Sequence, residues 1–129
     1  MEFPEGLFYT ESHEWVKEEG GQMKIGLTDF AQGQMKDIVY VDLPQAGSEF
    51  KKGEPIGSVE SVKTVADLFT PLTGKVIETN PGLKDHPQYV NEDPYGKGWI
   101  VKMECLEPEE LKALLSPADY ENAVSKEEE

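Results

Sequence analysis

Cysteine and histidine are scarce in this sequence, and their scarcity limits the chemistry that its side chains can perform. Cys105 is the single cysteine, so no disulfide can form within the chain. Its neighbours Glu104 and Leu106 are not basic, and we expect a core residue rather than a reactive thiol. The two histidines, His13 and His86, lie in no zinc or nucleophile motif, and no phosphate-binding glycine loop is present. The sequence therefore predicts a protein that is not an enzyme.

Basic residues are also few. The chain has 12 Lys and Arg residues against 26 Asp and Glu residues, which gives a formal net charge of -14 at pH 7. A charge of this sign repels nucleic acid and anionic membrane surfaces. We therefore predict no nucleic-acid partner and no membrane partner, and we expect protein partners to present basic or neutral docking surfaces.

Long apolar runs are missing as well. No stretch approaches the roughly 18 apolar residues that would span a bilayer. The segment from Met1 to Glu5 has neither a basic region nor an apolar run, so it does not resemble a targeting signal, and we expect a cytoplasmic protein. With 129 residues, the chain has room for one domain that buries roughly two-thirds of its unfolded surface. We expect a monomer.

Short apolar or alternating segments, separated by glycine and proline turns, fill most of the chain. They predict strands at residues 7–10, 14–17, 23–27, 37–43, 75–79 and 99–105. Thr28 and Asp29 can cap a short helix that continues to Met35, and a single helical turn is predicted within residues 83–90. Short strands at this spacing are typical of a sandwich or barrel.

The C-terminal segment has helical periodicity. Pro108 stands at the first position of one predicted helix, and Ser116 begins a second helix with Tyr120 and Val124 in its apolar stripe. We expect both helices to pack against the sandwich. The single domain, residues 1–129, is divided into a sandwich core at 23–107, C-terminal helices at 108–126, and an acidic tail at 127–129 that adds solubility.

The stretch from Ile56 to Thr70 contains the strongest candidate site. Its β-branched and aromatic residues predict two short strands with Lys63 near the bend between them. A lysine on a hairpin tip points into water, and most such lysines are solvated charges without a chemical role. A Schiff-base lysine would need a desolvating apolar pocket, whereas Glu60 and Asp67 nearby favour the charged ammonium.

Several segments, in their order along the chain, resemble the glycine cleavage H-protein family. They are residues 12–16 (SHEWV), 26–32 (GLTDFAQ), 60–63 (ESVK), 71–76 (PLTGKV) and 90–99 (VNEDPYGKGW), together with Asp67. The four residues that end in Lys63 look like the lipoyl-attachment hairpin of that family. The segments together extend over nearly the whole chain, which makes the resemblance specific.

The resemblance implies a fold and a cofactor. The implied fold is mainly β, a lipoyl/biotinyl-type barrel-sandwich hybrid with short helices and a C-terminal helical segment. The implied cofactor is lipoate, covalently attached to Lys63 by a lipoylating enzyme that recognises Glu60, Ser61 and Val62 at the attachment turn. Exposure of the lysine suits this role, because the lysine must be acylated by one enzyme and its arm must then swing between others.

The implied function is that of a shuttle in glycine cleavage. Lipoyl-Lys63 accepts the aminomethyl group of glycine from glycine decarboxylase (P protein), a pyridoxal-phosphate enzyme. It delivers the group to the tetrahydrofolate-dependent aminomethyltransferase (T protein). Dihydrolipoamide dehydrogenase (L protein) then reoxidises the dithiol.

A loaded arm carries a protonated amine that is lost as ammonia when water has access, so a carrier gains by sheltering it. The matching segments put Ser12 and Glu14 on one strand and Asp67 on the descending limb of the hairpin. Our hypothesis is that these residues line a cleft, where Glu14 and Asp67 offer negative charge and Ser12 offers a hydrogen bond. The alternative for Glu14 is a solvated strand residue.

One departure from the family lies at Lys36, between Met35 and Asp37, where Leu-Gly-Asp is common. The change adds a cation and removes a flexible glycine at a surface bend. Two other interpretations stay open. In the first, the chain is a lipoyl or biotinyl domain of another complex, although lipoyl domains typically carry Asp-Lys-Ala and biotinyl domains Met-Lys-Met at the modified lysine. In the second, it is an unmodified acidic interaction domain with a basic partner. The intact mass of the native protein distinguishes them.

Overall fold

The computed structural model describes residues 1–128 and is built mainly from short antiparallel strands. The strands are β1 (Phe8–Tyr9), β2 (Glu14–Glu19), β3 (Gln22–Leu27), β4 (Ile38–Asp42), β5 (Glu49–Phe50), β6 (Pro55–Ser61), β7 (Val65–Phe69), β8 (Gly74–Thr79) and β9 (Val101–Cys105). Each strand predicted from the sequence overlaps one of these. Strand β5 was not predicted, because Phe50 is the single apolar residue of a polar stretch between the turn glycines Gly47 and Gly53.

The strands form two sheets. One has the order β1-β2-β3-β9-β8-β5, and the other has the order β4-β6-β7. All neighbouring strands are antiparallel, and the sheets do not close into a continuous barrel. The second sheet contains the β6–β7 hairpin, so Lys63 is presented at the end of a strand pair whose base is fixed in a sheet.

Short helices connect and cover the sheets. They are α1 (Asp29–Met35), α2 (Gly82–Asp85), α3 (Tyr89–Glu92), a 3-10 helix (Pro108–Ala113) and α4 (Pro117–Glu128). The predicted cap of α1 is confirmed, since Thr28 Oγ1 accepts a hydrogen bond of 3.2 Å from the Ala31 N–H. The prediction of a mainly β fold with short helices and a C-terminal helical segment is therefore correct.

The C-terminal segment differs from the prediction in two details. Residues after Pro108 form a 3-10 helix, in which the Glu110 N–H donates to the Glu107 carbonyl oxygen at 3.0 Å, three residues back. Glu127 belongs to α4 rather than to a tail, and Glu129 of the predicted tail lies outside the described residues. Within residues 1–128, no helix is both long enough and apolar enough to cross a membrane.

The core has two parts. The larger part lies between the sheets and contains buried aliphatic and methionine side chains: Val16, Met23, Ile25, Leu27, Met35, Ile38, Val41, Ile56, Val59, Leu68, Leu72, Val76, Leu83, Val90, Ile100, Val101 and Met103. Leu111, Leu114 and Cys105 are partly buried against it. The smaller part fixes α4 to β1, β2 and α1 through Leu7, Tyr9, Trp15, Phe30, Tyr120 and Val124.

Trp15 explains why three of the matching segments occur together. Its side chain is fully buried, and its Nε1–H donates to the Pro94 carbonyl oxygen at 3.0 Å. Strand β3 passes against the ring at Gly26, where an added Cβ would lie 2.7 Å from Trp15 Nε1. A residue larger than glycine would therefore displace the tryptophan, so this contact fixes β2, β3 and the loop before β9 relative to one another.

Candidate functional site

A serine holds the turn between β6 and β7. The Ser61 N–H donates to the Thr64 carbonyl oxygen at 2.8 Å, and the Ser61 hydroxyl donates to the same oxygen at 3.2 Å. Ser61 Oγ also accepts from the N–H groups of Lys63 at 3.1 Å and Thr64 at 3.0 Å. The Val62 N–H donates to the Asp37 carbonyl oxygen at 3.0 Å, which ties the tip to the loop after α1. These bonds fix the backbone on both sides of Lys63.

Lys63 itself is exposed at the crest of this turn. In the part of the chain that the structure describes, no carboxylate forms an ion pair with its ammonium. Glu60 and Asp67, expected nearby, are exposed and stay beyond ion-pair distance. An exposed primary amine on a fixed turn is accessible to an acylating enzyme, and it lacks the desolvated surroundings of a Schiff-base lysine.

A cavity of about 330 Å³ lies beside the hairpin. Its walls come from the loop before β2, the end of β3, α1, the β6–β7 hairpin and α4. The lining residues are Ser12, His13, Leu27, Phe30, Ala31, Gln34, Met35, Val59, Ala66, Asp67 and Glu127. Ser12 and Asp67, both expected at a cleft, line this cavity, whereas Glu14 is not among the lining residues. The cavity is mainly apolar and its carboxylates belong to Asp67 and Glu127.

Glu14 is buried, with only 1% of its surface exposed. Its Oε1 accepts hydrogen bonds of 2.6 Å from the hydroxyls of Ser12 and Thr10, and its Oε2 accepts a longer one, 3.4 Å, from the Phe69 N–H. Burial raises the pKa of Glu14, and the hydrogen bonds from Ser12 and Thr10 offset only part of that rise. The alternative that Glu14 is a solvated strand residue is therefore wrong. Glu14 is connected to the cavity through Ser12, which donates to it and lines the wall.

His13 connects the cavity to α4, a role that sequence reasoning missed. Its Nε2 lies 3.0 Å from a carboxylate oxygen of Glu127, and its Nδ1 lies 2.8 Å from the Tyr120 hydroxyl. That hydroxyl is 2.7 Å from Thr28 Oγ1, the cap of α1. Burial raises the pKa of Tyr120, so its hydroxyl stays protonated and can donate to His13 while it accepts from Thr28. His13 and Glu127 come from opposite ends of the chain, and no local pattern relates them.

The lining of the cavity indicates which kind of ligand it can hold. Within residues 1–128, no group of three or more His, Cys, Asp and Glu side chains is arranged to hold a metal ion. The cavity instead combines apolar walls with the negative charge of Asp67 and Glu127. Such a cavity suits an apolar arm that ends in a cation, and its volume lies within the range of small-molecule sites, about 300–1,000 Å³.

Comparison with known protein families gives one match over most of the chain. Residues 7–127 match the family described as "Glycine cleavage H-protein". The matched region includes both sheets, the lysine hairpin and nearly all of α4.

Individual relatives agree with the family match. The chain is 52% identical to a glycine cleavage system H protein of Listeria monocytogenes over 124 residues, which is 96% of this chain and 99% of the relative. It is also 52% identical to the H protein of Oceanobacillus iheyensis, over 94% of this chain and 96% of the relative. Among solved structures, an H protein from Mycobacterium marinum superposes with a TM-score of 0.85 at 34% identity, covering 95% of this chain and 98% of that one. This similarity supports the predicted barrel-sandwich fold.

Proposed function

Because the chain belongs to the glycine cleavage H-protein family, we propose that it is a lipoyl carrier with its attachment site at Lys63. The observation that carries the proposal is the turn itself, where Ser61 fixes the backbone and the lysine side chain is exposed. An acylating enzyme needs a free amine in a reproducible position, and this turn offers one. Glu60, Ser61 and Val62 are the proposed recognition residues at that turn.

The surroundings of Lys63 fit a lipoyl group. Ala66 lines the cavity and follows Lys63 by three residues, a separation of at most about 10 Å along an extended chain. A lipoyl-lysine arm of about 10–15 Å therefore reaches the cavity from the tip. When attached, the group would supply a disulfide that accepts a carbon fragment together with two electrons, and it would become a dithiol only after the fragment has been passed to the next enzyme. The protein contributes a mobile tether, a binding cavity and a docking surface.

In the proposed cycle the carrier meets the partner enzymes in turn. It accepts the aminomethyl group of glycine at glycine decarboxylase and delivers it to the tetrahydrofolate-dependent aminomethyltransferase. Dihydrolipoamide dehydrogenase then restores the disulfide. These steps require the carrier to release its arm into other active sites and supply no catalytic side chain of its own, so we propose a carrier rather than an enzyme. The expected compartment is the cytoplasm, and the expected state is a monomer.

Between visits, the cavity is the proposed shelter for the aminomethyl cargo. Asp67 lines the wall and offers a carboxylate directly to the cargo's ammonium. Ser12 donates its own hydrogen to Glu14, so the free lone pairs of its oxygen are available to accept from that ammonium. Glu14 acts behind Ser12, and in its ionised form the buried carboxylate adds to the preference of the cavity for a cation, although burial disfavours that form by raising its pKa.

The substitution Lys63→Arg tests the proposal. Arginine keeps a positive charge, but its guanidinium does not form the amide, so we expect no lipoylation and no support of glycine cleavage by purified partner enzymes. The free energy of unfolding should change by roughly 0.5 kcal/mol or less, because the substituted side chain is exposed.

Lys75→Arg is the matched control. It changes another exposed lysine, on β8, and should leave lipoylation and glycine cleavage at wild-type levels. Wild-type activity in the Lys63→Arg protein would reject the carrier function, because the arm would then not be attached at the hairpin.

A further inference from the structure

Exposed apolar side chains surround the lysine turn on a protein that is otherwise strongly acidic. Val39, Tyr40, Val62 and Val65 expose 47%, 54%, 70% and 60% of their surfaces, respectively. We call these residues the tip patch. Single exposed apolar side chains are ordinary, but a group of them around one site marks a surface that contacts another molecule.

A β-bulge creates part of the tip patch. In the pairing of β4 with β6, Ile38 lies opposite Ser61 and Tyr40 lies opposite Glu60, so Val39 is an extra residue without a partner. A regular strand would turn alternate residues toward the core, yet Val39 and Tyr40 are consecutive and both face solvent. The bulge thus adds a second apolar side chain to the surface next to the attachment turn.

Strand register brings the two limbs of the patch together. Tyr40 on β4 and Val65 on β7 both pair with Glu60 on β6, so they flank it in one row across the sheet. Neighbouring strands are about 4.8 Å apart, which puts the two apolar residues roughly 10 Å from each other. Val62 extends this surface toward the tip, where its N–H is bonded to the loop before β4.

The tip patch and the cavity are on opposite faces of this sheet. Val59 and Ala66 are paired with each other and line the cavity, and each directly adjoins a member of the Glu60–Val65 pair. Because successive residues of a strand point to opposite faces, the row that contains Tyr40 points away from the cavity. A partner can therefore bind the tip patch without filling the cavity.

Exposed carboxylates form the rim of the tip patch. Asp37 precedes β4 at the tip, Glu60 lies between the apolar side chains, and Asp42 lies two residues after Tyr40 on the same face of β4. An apolar centre with an acidic rim is complementary to an apolar depression with a basic rim. The net charge of -14 favours association with a partner of that kind.

We propose that the tip patch is the docking surface for the enzyme that acylates Lys63, and that this enzyme presents an apolar depression bordered by basic side chains. The inference rests on the proposed lipoyl attachment. In the reaction, the neutral Nζ attacks the carbonyl carbon of an activated lipoyl donor such as an acyl-adenylate. A C–N bond forms, the bond to the leaving group breaks, and Nζ loses a proton to solvent or to an enzyme base.

The reach of the side chain selects this enzyme over the other partners. An unmodified lysine extends only about 6 Å from its Cα, so the acylating active site must come against the turn and the side chains that flank it. The enzymes that act on the attached arm are separated from the turn by a further tether of about 10 Å, and they can bind elsewhere on the carrier.

The test compares two triple variants of the unlipoylated protein as acceptors for a purified lipoyl-protein ligase with lipoate and ATP. Val39→Thr, Tyr40→Thr and Val65→Thr together remove apolar surface from the patch but keep β-forming residues. Phe8→Thr, Ile77→Thr and Leu106→Thr together remove comparably exposed apolar surface elsewhere. A third protein with Val39→Ile, Tyr40→Phe and Val65→Ile keeps the patch apolar, and thermal melting confirms that all three are folded.

When the patch-to-threonine protein is the acceptor, we expect the KM of the ligase to be about tenfold higher than with the wild-type acceptor, because docking is weakened. The kcat should stay within about twofold, because the lysine turn is intact. The control variant and the apolar-for-apolar variant should stay within about twofold of the wild-type KM. In a Lys63→Arg background, which blocks the chemistry, the same order of affinities should appear in direct binding measurements.

Two results would overturn the inference. One is a wild-type KM in the patch-to-threonine protein, and the other is sedimentation showing that wild-type chains self-associate through the patch, which would make a second copy the occupant. If Lys63 proves to be lipoylated in the native protein while KM is unaffected, only the docking inference fails. If native Lys63 carries no lipoyl group, the proposed function fails first.

Discussion

At the scale of single residues, two carboxylates close to the hairpin have different environments and so different uses. Asp67 is exposed and lines the cavity, where a cation can approach it directly. Glu14 is buried and already accepts hydrogen bonds from two hydroxyls and a backbone N–H. The first is suited to contact with a cargo, and the second orients Ser12.

The raised pKa of Glu14 gives a pH-dependent stability. Since the folded state binds this proton more tightly than the unfolded chain, the stabilisation is complete below the ordinary pKa of 4.5 and is lost as pH rises through the higher folded value. Glu14→Gln has no such titration. The difference in free energy of unfolding, wild type minus variant, should therefore fall as the pH rises above 4.5.

Urea denaturation at a series of pH values measures that difference, and titrations shared by both proteins cancel. The Glu14→Gln protein should be less stable than the wild type at pH 4.5. The glutamine NH₂ takes the place of Oε2, so that NH₂ group and the Phe69 N–H are two donors facing each other without an acceptor, which costs about 1–3 kcal/mol. A difference that stays constant or grows with pH would show that Glu14 does not titrate as a buried carboxyl group with a raised pKa.

Asp67 is the residue whose charge should matter most for the loaded arm. Asp67→Asn keeps the shape of the side chain but removes the charge that faces the cavity, and loss of about 1.4 kcal/mol corresponds to tenfold weaker retention. We expect faster ammonia release from the loaded protein, measured after lipoylation has been confirmed by mass. Glu14→Gln should have a smaller effect, because Glu14 acts through Ser12. Wild-type release rates in both variants would reject electrostatic retention but not the carrier function.

At the scale of elements, the bend after α1 stores backbone strain. Lys36 has φ 67° and ψ −149°, a conformation that glycine adopts readily and other residues rarely do. Its N–H still donates to the Gln32 carbonyl oxygen at 3.0 Å, so the helix is properly ended despite the strain. The glycine that is common at this position in the family would adopt this conformation without strain, whereas Lys36 adopts it at a cost.

Lys36→Gly should consequently stabilise the protein by roughly 0.5–1 kcal/mol, since relief of strain exceeds the added entropy of the unfolded chain. Thermal or urea unfolding measures the gain. Lys36→Ala is the matched control, because it removes the cation but keeps the Cβ, and it should change stability by no more than about 0.5 kcal/mol. Equal stabilisation by alanine and glycine would mean that the charge, rather than the backbone, is unfavourable there.

Elements with strong local signals were predictable from the sequence. The strands around Lys63 follow from β-forming residues on both sides of a bend, and α1 follows from Thr28, whose hydroxyl does cap the helix. The segment after Pro108 was expected to be α-helical and forms a 3-10 helix instead, a distinction that proline at the first position does not determine. The bulge at Val39 could not be predicted either, because the apolar pattern of β4 predicts a regular strand.

At the scale of the whole molecule, the site depends on contacts between segments that are distant in the sequence. These contacts could not be predicted from local sequence patterns. Glu14 is charged and lies on a strand, so a solvated position was a reasonable alternative, and only the packing of β7 against it shows the burial. Glu127 reaches the cavity because Tyr120 and Val124 hold α4 on the smaller core. The resemblance to the family indicated which residues to consider but not which of them face the cavity.

The net charge of -14 acts on the molecule as a whole. If it steers the carrier onto basic surfaces of its partner enzymes, raising the ionic strength should lower the association rates measured by stopped-flow, since charges are screened beyond about 8–10 Å at physiological salt. Circular dichroism should show an unchanged fold over the same range. Association rates that do not vary with salt would show that the net charge does not steer the carrier onto its partners.

The most direct test of the central claim is the mass of the native protein. The chain should be purified from its own cells grown with lipoate and glycine, and then analysed intact and as proteolytic peptides. We expect one lipoyl group, carried by the peptide that contains Lys63, and no modification on the peptide that contains Lys75. A biotinyl group, a lipoyl group on another lysine, or an unmodified Lys63 under these conditions would contradict the assignment of this hairpin as a lipoyl-attachment site.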